Sequence, residues 1–125
     1  KTAYEILTCD WSSAVCSSDL KQLQADKINV AVLHCPTIKP LDETTILKEV
    51  RKPGWLVVVA ENHSVVGGLG EAVASLLLRE GAIPSKFRLL GLPDAFLDAG
   101  ALPTLHDRYG ISAEKVAASL KSWLK

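Results

Sequence analysis

The stretch Gly54–Gly81, GWLVVVAENHSVVGGLGEAVASLLLREG, constrains the fold of this chain more than any other. It opens on an unbroken apolar run, Trp55–Ala60, rich in β-branched valine and too short to be a helix of its own. Such a run reads as a strand buried on both faces, the pattern of a parallel sheet. A polar turn is expected at Glu61–Ser64, followed by the glycines Gly67, Gly68 and Gly70. From Leu69 the period changes. Leu69, Val73, Leu76 and Leu77 fall on one stripe of a helix, and Gly81 stands where a left-handed cap would end it. Strand, glycine turn and helix make half of a βαβ unit.

The remaining elements repeat that alternation. Tyr4–Thr8, Ile28–Cys35 and Lys86–Leu90 read as strands. Asp42 is placed to cap a helix, with Leu41 and Ile46 as its hydrophobic staple. Glu43 in its first turn and Lys48, Arg51 and Lys52 in its last suit the helix dipole, and Pro53-Gly54 stops it. Cys16, Leu20 and Leu23 keep helical spacing through Asp26. Ala101–Tyr109 holds a short helix with Pro103 in its first turn. Ser112 caps a last helix lined by Val116, Leu120, Trp123 and Leu124. Alternating strands and helices predict a single three-layer α/β domain over residues 1–125 with a mainly parallel sheet. Leu56–Val59, Leu69, Val73 and Leu76 are expected in its core.

Composition narrows the function classes. Lysine plus arginine balance aspartate plus glutamate, 14 against 14, which argues against a protein of nucleic acid or membrane surfaces, since these normally carry a basic patch. No apolar run approaches a membrane span or reads as a signal peptide before the first strand. Cys9, Cys16 and Cys35 match no zinc or redox spacing and read as reduced thiols of a cytoplasmic protein. Apart from Ala14, Asp10–Leu20 (DWSSAVCSSDL) resembles the translation of a common short-read sequencing adapter. Its residues are taken as non-native and given no functional weight, and the native chain is then expected to begin well before Lys1.

The candidate chemistry sits after the central strand. Backbone amides at Gly67–Gly70 stand where nucleotide folds bind phosphate. The glycines read G-G-x-G, however, without the dinucleotide spacing or a Walker lysine. The same glycines equally let a helix start close against the sheet or a neighbouring domain. Glu61 and His63 follow the carboxyl end of a parallel strand, where open α/β sheets place ligand sites. They could transfer protons, or hold loop backbone and anchor a domain contact. The structural role is favoured for both. Adjacent His34 and Cys35 point to opposite faces and cannot readily share a metal. His106-Asp107-Arg108 reads as a solvated helix surface. Leu92–Tyr109, with its prolines, glycine and aspartates, reads as an ordered surface loop with a contact role. From these residues alone no reaction can be named.

Four segments, in order, resemble the C-terminal domain of transketolase-type thiamine-diphosphate enzymes: Ile28–Asp42 (INVAVLHCPTIKPLD), Leu56–Gly70 (LVVVAENHSVVGGLG), Leu89–Gly100 (LLGLPDAFLDAG) and Leu105–Ser112 (LHDRYGIS). With the helices between them they cover most of Lys21–Lys125. The specific elements are P-x-x-K-P-L-D at Pro36–Asp42 and E-x-H-x-x-x-G-G-x-G at Glu61–Gly70. The likeness is nearest to separate C-terminal sections of split bacterial transketolase-like proteins. 1-Deoxy-D-xylulose-5-phosphate synthase and oxo-acid dehydrogenase β subunits share the domain more distantly.

The resemblance implies a three-layer α/β/α sandwich with a five-stranded, mostly parallel sheet, one edge strand antiparallel. It implies a domain that binds no cofactor itself, within an enzyme that uses thiamine diphosphate and Mg2+. The other domain types supply the Gly-Asp-Gly metal–diphosphate motif and the activating glutamate, neither of which has a counterpart here. No catalytic or metal-binding residue transfers onto this chain. Glu61, His63, Gly67, Gly68 and Gly70 become candidates for an interdomain contact, or for an anion site in the alternative of a free-standing anion- or nucleotide-binding module. The implied partners are the cofactor-binding domains or subunit of the same enzyme, in a homodimer or heterotetramer. The implied reaction of the whole enzyme moves a two-carbon ketol unit between sugar phosphates, with this domain serving packing and dimer assembly.

Overall fold

A computed structural model describes residues 3–9, 21 and 23–124. The expected helix through Cys16 and Leu20, and the adapter-like residues 10–20, lie outside the described residues. The elements in chain order are β1 (Ala3–Cys9), β2 (Asn29–His34), α1 (Glu43–Val50), β3 (Leu56–Ser64), α2 (Leu69–Arg79), β4 (Lys86–Leu92), α3 (Leu102–Arg108) and α4 (Ala113–Leu124). A helical stretch at residues 23–25 precedes β2.

The strands lie in the order β2-β1-β3-β4, and every pairing is parallel, with Leu7 opposite both Leu33 and Val59, and Val59 opposite Leu89. β3 is therefore an inner strand, and its valines are buried on both faces. Leu56, Val58 and Ala60 pack with Leu23, Val116 and Leu120 on one side. Val57 and Val59 pack with Ile46, Val50, Leu69, Val73 and Leu76 on the other. The strand's period of two sends consecutive residues to opposite layers. Residues 23–25 and α4 thus cover one face and α1 and α2 the other, which is the expected three-layer sandwich. Each fully buried Val or Leu contributes roughly 1.5–3 kcal/mol of transfer free energy. The predicted core residues of β3 and α2 are all buried.

The caps explain where the helices begin and end. Asp42 Oδ1 accepts from the Thr45 amide at 3.1 Å, satisfying one orphan donor of α1. Leu41 and Ile46 meet in the same apolar cluster, as a staple requires. At the other end of α2, Gly81 has φ +63°. Its amide donates to Leu78 O and that of Ala82 to Leu77 O, a Schellman closure that also buries Ala82 beside Leu77.

Two expectations are corrected. The described residues form four strands, all parallel, and not five with one antiparallel edge. Beyond Leu92 the chain enters Pro93, which has no N–H for a ladder, and the Ala95 amide turns back to Pro93 O at 2.9 Å. Glu61–Ser64 is not a turn but the continuation of β3, irregular in register between Ala60 and Ser64. The Val65 amide then bonds Leu92 O at 3.0 Å, which keeps β3 and β4 together two residues past the expected end of β4.

Candidate functional site

The carboxyl end of β3 delivers a carboxylate to the start of α2. Glu61 is 1% exposed, the one buried charged side chain among the residues whose side chains are described. Its Oε2 accepts from the Leu69 amide at 2.7 Å and its Oε1 from the Gly70 amide at 3.2 Å. These are the first two amides of α2, whose N-terminal donors have no partner within the helix. An acid there also lies at the positive end of the helix dipole. Gly68, the N-cap residue, has no side chain with which to do the same. A buried acid from the sheet therefore performs the task that a serine or aspartate cap performs elsewhere.

Each glycine of the turn has its own reason. A Cβ on Gly68 would stand 2.2 Å from Glu61 Oε2, so the carboxylate can approach only a residue without one. A Cβ on Gly70 would stand 2.4 Å from Leu89 Cδ2, so this glycine lets the helix start flat against β4. Gly67 has open space around it but φ +73°, the left-handed region that glycine adopts readily. Its amide donates to Glu71 Oε2 at 2.8 Å, the third residue of the helix reaching back as in a capping box. Ser64 Oγ accepts from the Val66 amide at 3.2 Å. Own-chain oxygens thus take the amides of Val66, Gly67, Leu69 and Gly70.

Of the candidate residues, Glu61, Gly68 and Gly70 lie inside the domain, and His63 and Gly67 lie at its surface. The structure does not join Glu61 and His63 as an acid–base pair. Both Glu61 oxygens face helix amides, whereas His63 is exposed with Nδ1–H donating to Ser64 O at 2.8 Å. His34 and Cys35 part as predicted, one exposed and one buried. In the late segment Arg108 pairs with Asp98 and Asp107 accepts from Ser112 Oγ, while His106 is half-buried and not fully solvated.

Sequence reasoning missed two participants. Glu71 was identifiable from an acid at the third helical position. Gly91 carried only the weaker signal of a glycine inside a strand. A Cβ there would stand 2.9 Å from His63 O and 3.3 Å from Glu61 Cγ, so it admits the irregular end of β3.

The described residues do not fit a metal–diphosphate site. They bring together no group of three His, Cys, Asp or Glu side chains able to hold a metal. The helix-start amides that would cradle a phosphate already face Glu61 and Glu71. No described helix is long and apolar enough to cross a membrane.

Fold and turn together define a three-layer α/β domain whose central glycine turn is closed by its own acids. A family profile described as the transketolase C-terminal domain matches residues 13–116, and the chain belongs to that family. An uncharacterised transketolase family protein of Sinorhizobium fredii, y4mN, is 62% identical over 104 residues, 83% of this chain and 30% of its own length. The 1-deoxy-D-xylulose-5-phosphate synthase of Syntrophotalea carbinolica is 38% identical over 111 residues, 89% of this chain and 17% of its own. A solved structure described as a split-gene transketolase, inactive β4 tetramer, superposes with a TM-score of 0.80 at 32% identity, covering 96% of this chain and 37% of that one. The chain thus spans less than a third of the length of these two curated relatives.

Proposed function

We propose that this chain is the C-terminal, non-cofactor-binding domain or subunit of a transketolase-like enzyme that moves a two-carbon ketol unit between sugar phosphates. Its task is packing and assembly. The cofactor-binding domains or subunit of the same enzyme, carrying thiamine diphosphate and Mg2+, are its partners in a cytoplasmic dimer or heterotetramer. The observation that carries this reading is the engagement of Glu61 with the Leu69 and Gly70 amides. A turn that nucleotide folds leave open to a phosphate is here filled from within. His63, Val66 and Gly67 form its outward side, and Glu61, Gly68 and Gly70 hold that side in shape from beneath. The alternative of a free-standing anion-binding module requires a phosphate to displace Glu61 and then leaves a buried acid without its two donors, an arrangement that costs more than it returns.

The test adds this chain to the cofactor-binding remainder of a transketolase-family enzyme and follows ketol transfer. Turnover is expected only with both parts present. Turnover by this chain alone, or full turnover by the remainder without it, would refute the assignment. Micromolar calorimetric binding of sugar phosphates or nucleotides to the chain would support the module instead.

A further inference from the structure

Past β4 the chain leaves the body of the domain, and every residue from Pro93 to Thr104 is exposed. The excursion is nevertheless held in shape. The Asp98 amide donates to Tyr109 Oη at 3.1 Å, the Arg108 guanidinium pairs with the Asp98 carboxylate, and the Ala95 amide closes a turn onto Pro93 O. On this loop Phe96 is 108% exposed, as open as in an extended chain, and its neighbour Leu97 and, at the start of α3, Leu102 are exposed as well. Val66 is exposed on the β3–α2 turn, which the Val65–Leu92 bond ties to the root of the same loop. Single exposed apolar residues are ordinary. A large aromatic carried outward on a braced loop is different, because its ordering cost is already met before any partner arrives. Aromatic anchors of this kind dominate interface energetics.

We propose that Phe96 is the anchor through which this domain docks on the cofactor-binding part of its enzyme, with the exposed Leu97, Leu102 and Val66 as further apolar contacts. The proposal rests on the domain reading above and names the surface that reading lacks. The occupant follows from the family. In the 62% identical relative the matching segment is 30% of a longer polypeptide, so there the domain is joined to more than twice its own length of further chain. The loop also springs from the carboxyl end of the sheet, the end that carries the Glu61–Gly70 turn.

The experiment co-expresses the tagged chain with the y4mN polypeptide from which its matching 104-residue segment has been removed. Association is measured by titration of the purified parts. Phe96→Ser is expected to weaken it at least about tenfold. The thermal midpoint of the chain should not change, since so exposed a side chain supports none of the fold. Leu78→Ser, at an apolar residue 74% exposed on α2, should leave association as it was. Unaltered affinity with Phe96→Ser overturns the anchor and leaves the domain reading standing. No association by the unaltered chain removes both. Loss of self-association in Phe96→Ser, with binding to the y4mN remainder intact, assigns the loop to a second copy and also overturns the proposal.

Discussion

Gly68→Ala isolates the role of the turn, because the substitution is benign in every respect but one. Gly68 has φ −98° and ψ −164°, extended backbone that alanine adopts freely. By itself the exchange would stabilise the chain by about 0.4–1 kcal/mol through the unfolded state. The added Cβ, however, would stand 2.2 Å from Glu61 Oε2 and 2.6 Å from Cδ. The carboxylate must move, and both of its bonds to α2 depend on where it now lies. Hydrogen bonds to a charged group contribute about 1.5–3 kcal/mol each. Partial relaxation and the entropic gain reduce the sum, giving an expected loss of about 2–4 kcal/mol. For a chain of this length that lowers the thermal midpoint by about 4 °C per kcal/mol. Urea denaturation of Gly68→Ala, Glu61→Ala and the double variant closes a cycle. Once Glu61 is truncated the clash has no partner, so the double variant should be little worse than Glu61→Ala. A Gly68→Ala loss below about 0.5 kcal/mol, or additivity within that margin, would refute the argument.

Two further predictions concern neighbouring contacts. Gly70→Ala meets the far end of Leu89, a half-buried side chain that can rotate, so it should cost about 1–3 kcal/mol by overpacking and be relieved by Leu89→Ala in equilibrium unfolding. The Thr45 side chain, and after it the Thr45 amide, hold the Asp42 carboxyl below its ordinary value of 3.8 by hydrogen bonding to its charged form. A depressed folded-state value contributes stability that is present above the unfolded value and is lost as pH falls through the folded one. The urea midpoint of the unaltered chain should therefore carry an acid-limb component below pH 3.8 that is absent from Asp42→Ala. Parallel acid limbs in the two proteins would remove Asp42 from the account.

The layers were legible because hydrophobic period alone decides them. The valine run of β3 reads as buried on both faces whatever its partners are, and the stripe of α2 from Leu69 to Leu77 names the face it buries. The caps at Asp42 and Gly81 were legible for the same local reason. The end of β3 was not. Glu-Asn-His-Ser carries the composition of a turn, and contacts that no local pattern records, the pairing of Ser64 with Leu92 and the bonds of Glu61 to amides eight and nine residues on, go with its extended course. Nor could a fifth strand be judged from residues beyond Leu92, where the absence of ladder bonds depends on what Pro93 and its neighbours face. Glu71 and Gly91 escaped notice because each matters through a contact that no periodicity records.

Glycines at a strand-to-helix turn are commonly read as a phosphate site, and the geometry here shows why that reading is degenerate. A phosphate and a buried carboxylate make the same demands on the turn: free amides, the positive end of a dipole, and no Cβ in the way. Gly68 would be required in either case. The discriminator is the strand that precedes the turn. Where its carboxyl end presents an acid on the inner face, eight residues before the first helical amide, the ligand is already covalently present. Where that position is small or apolar, the amides await something from solution. On this logic Glu61→Ala should do more than destabilise: it should leave the Leu69 and Gly70 amides open to an anion. Inorganic phosphate should then raise the thermal midpoint of Glu61→Ala while leaving that of the unaltered chain in place. An equal response in both would mean that Glu61 does not stand in for a ligand, and that these glycines serve close packing alone.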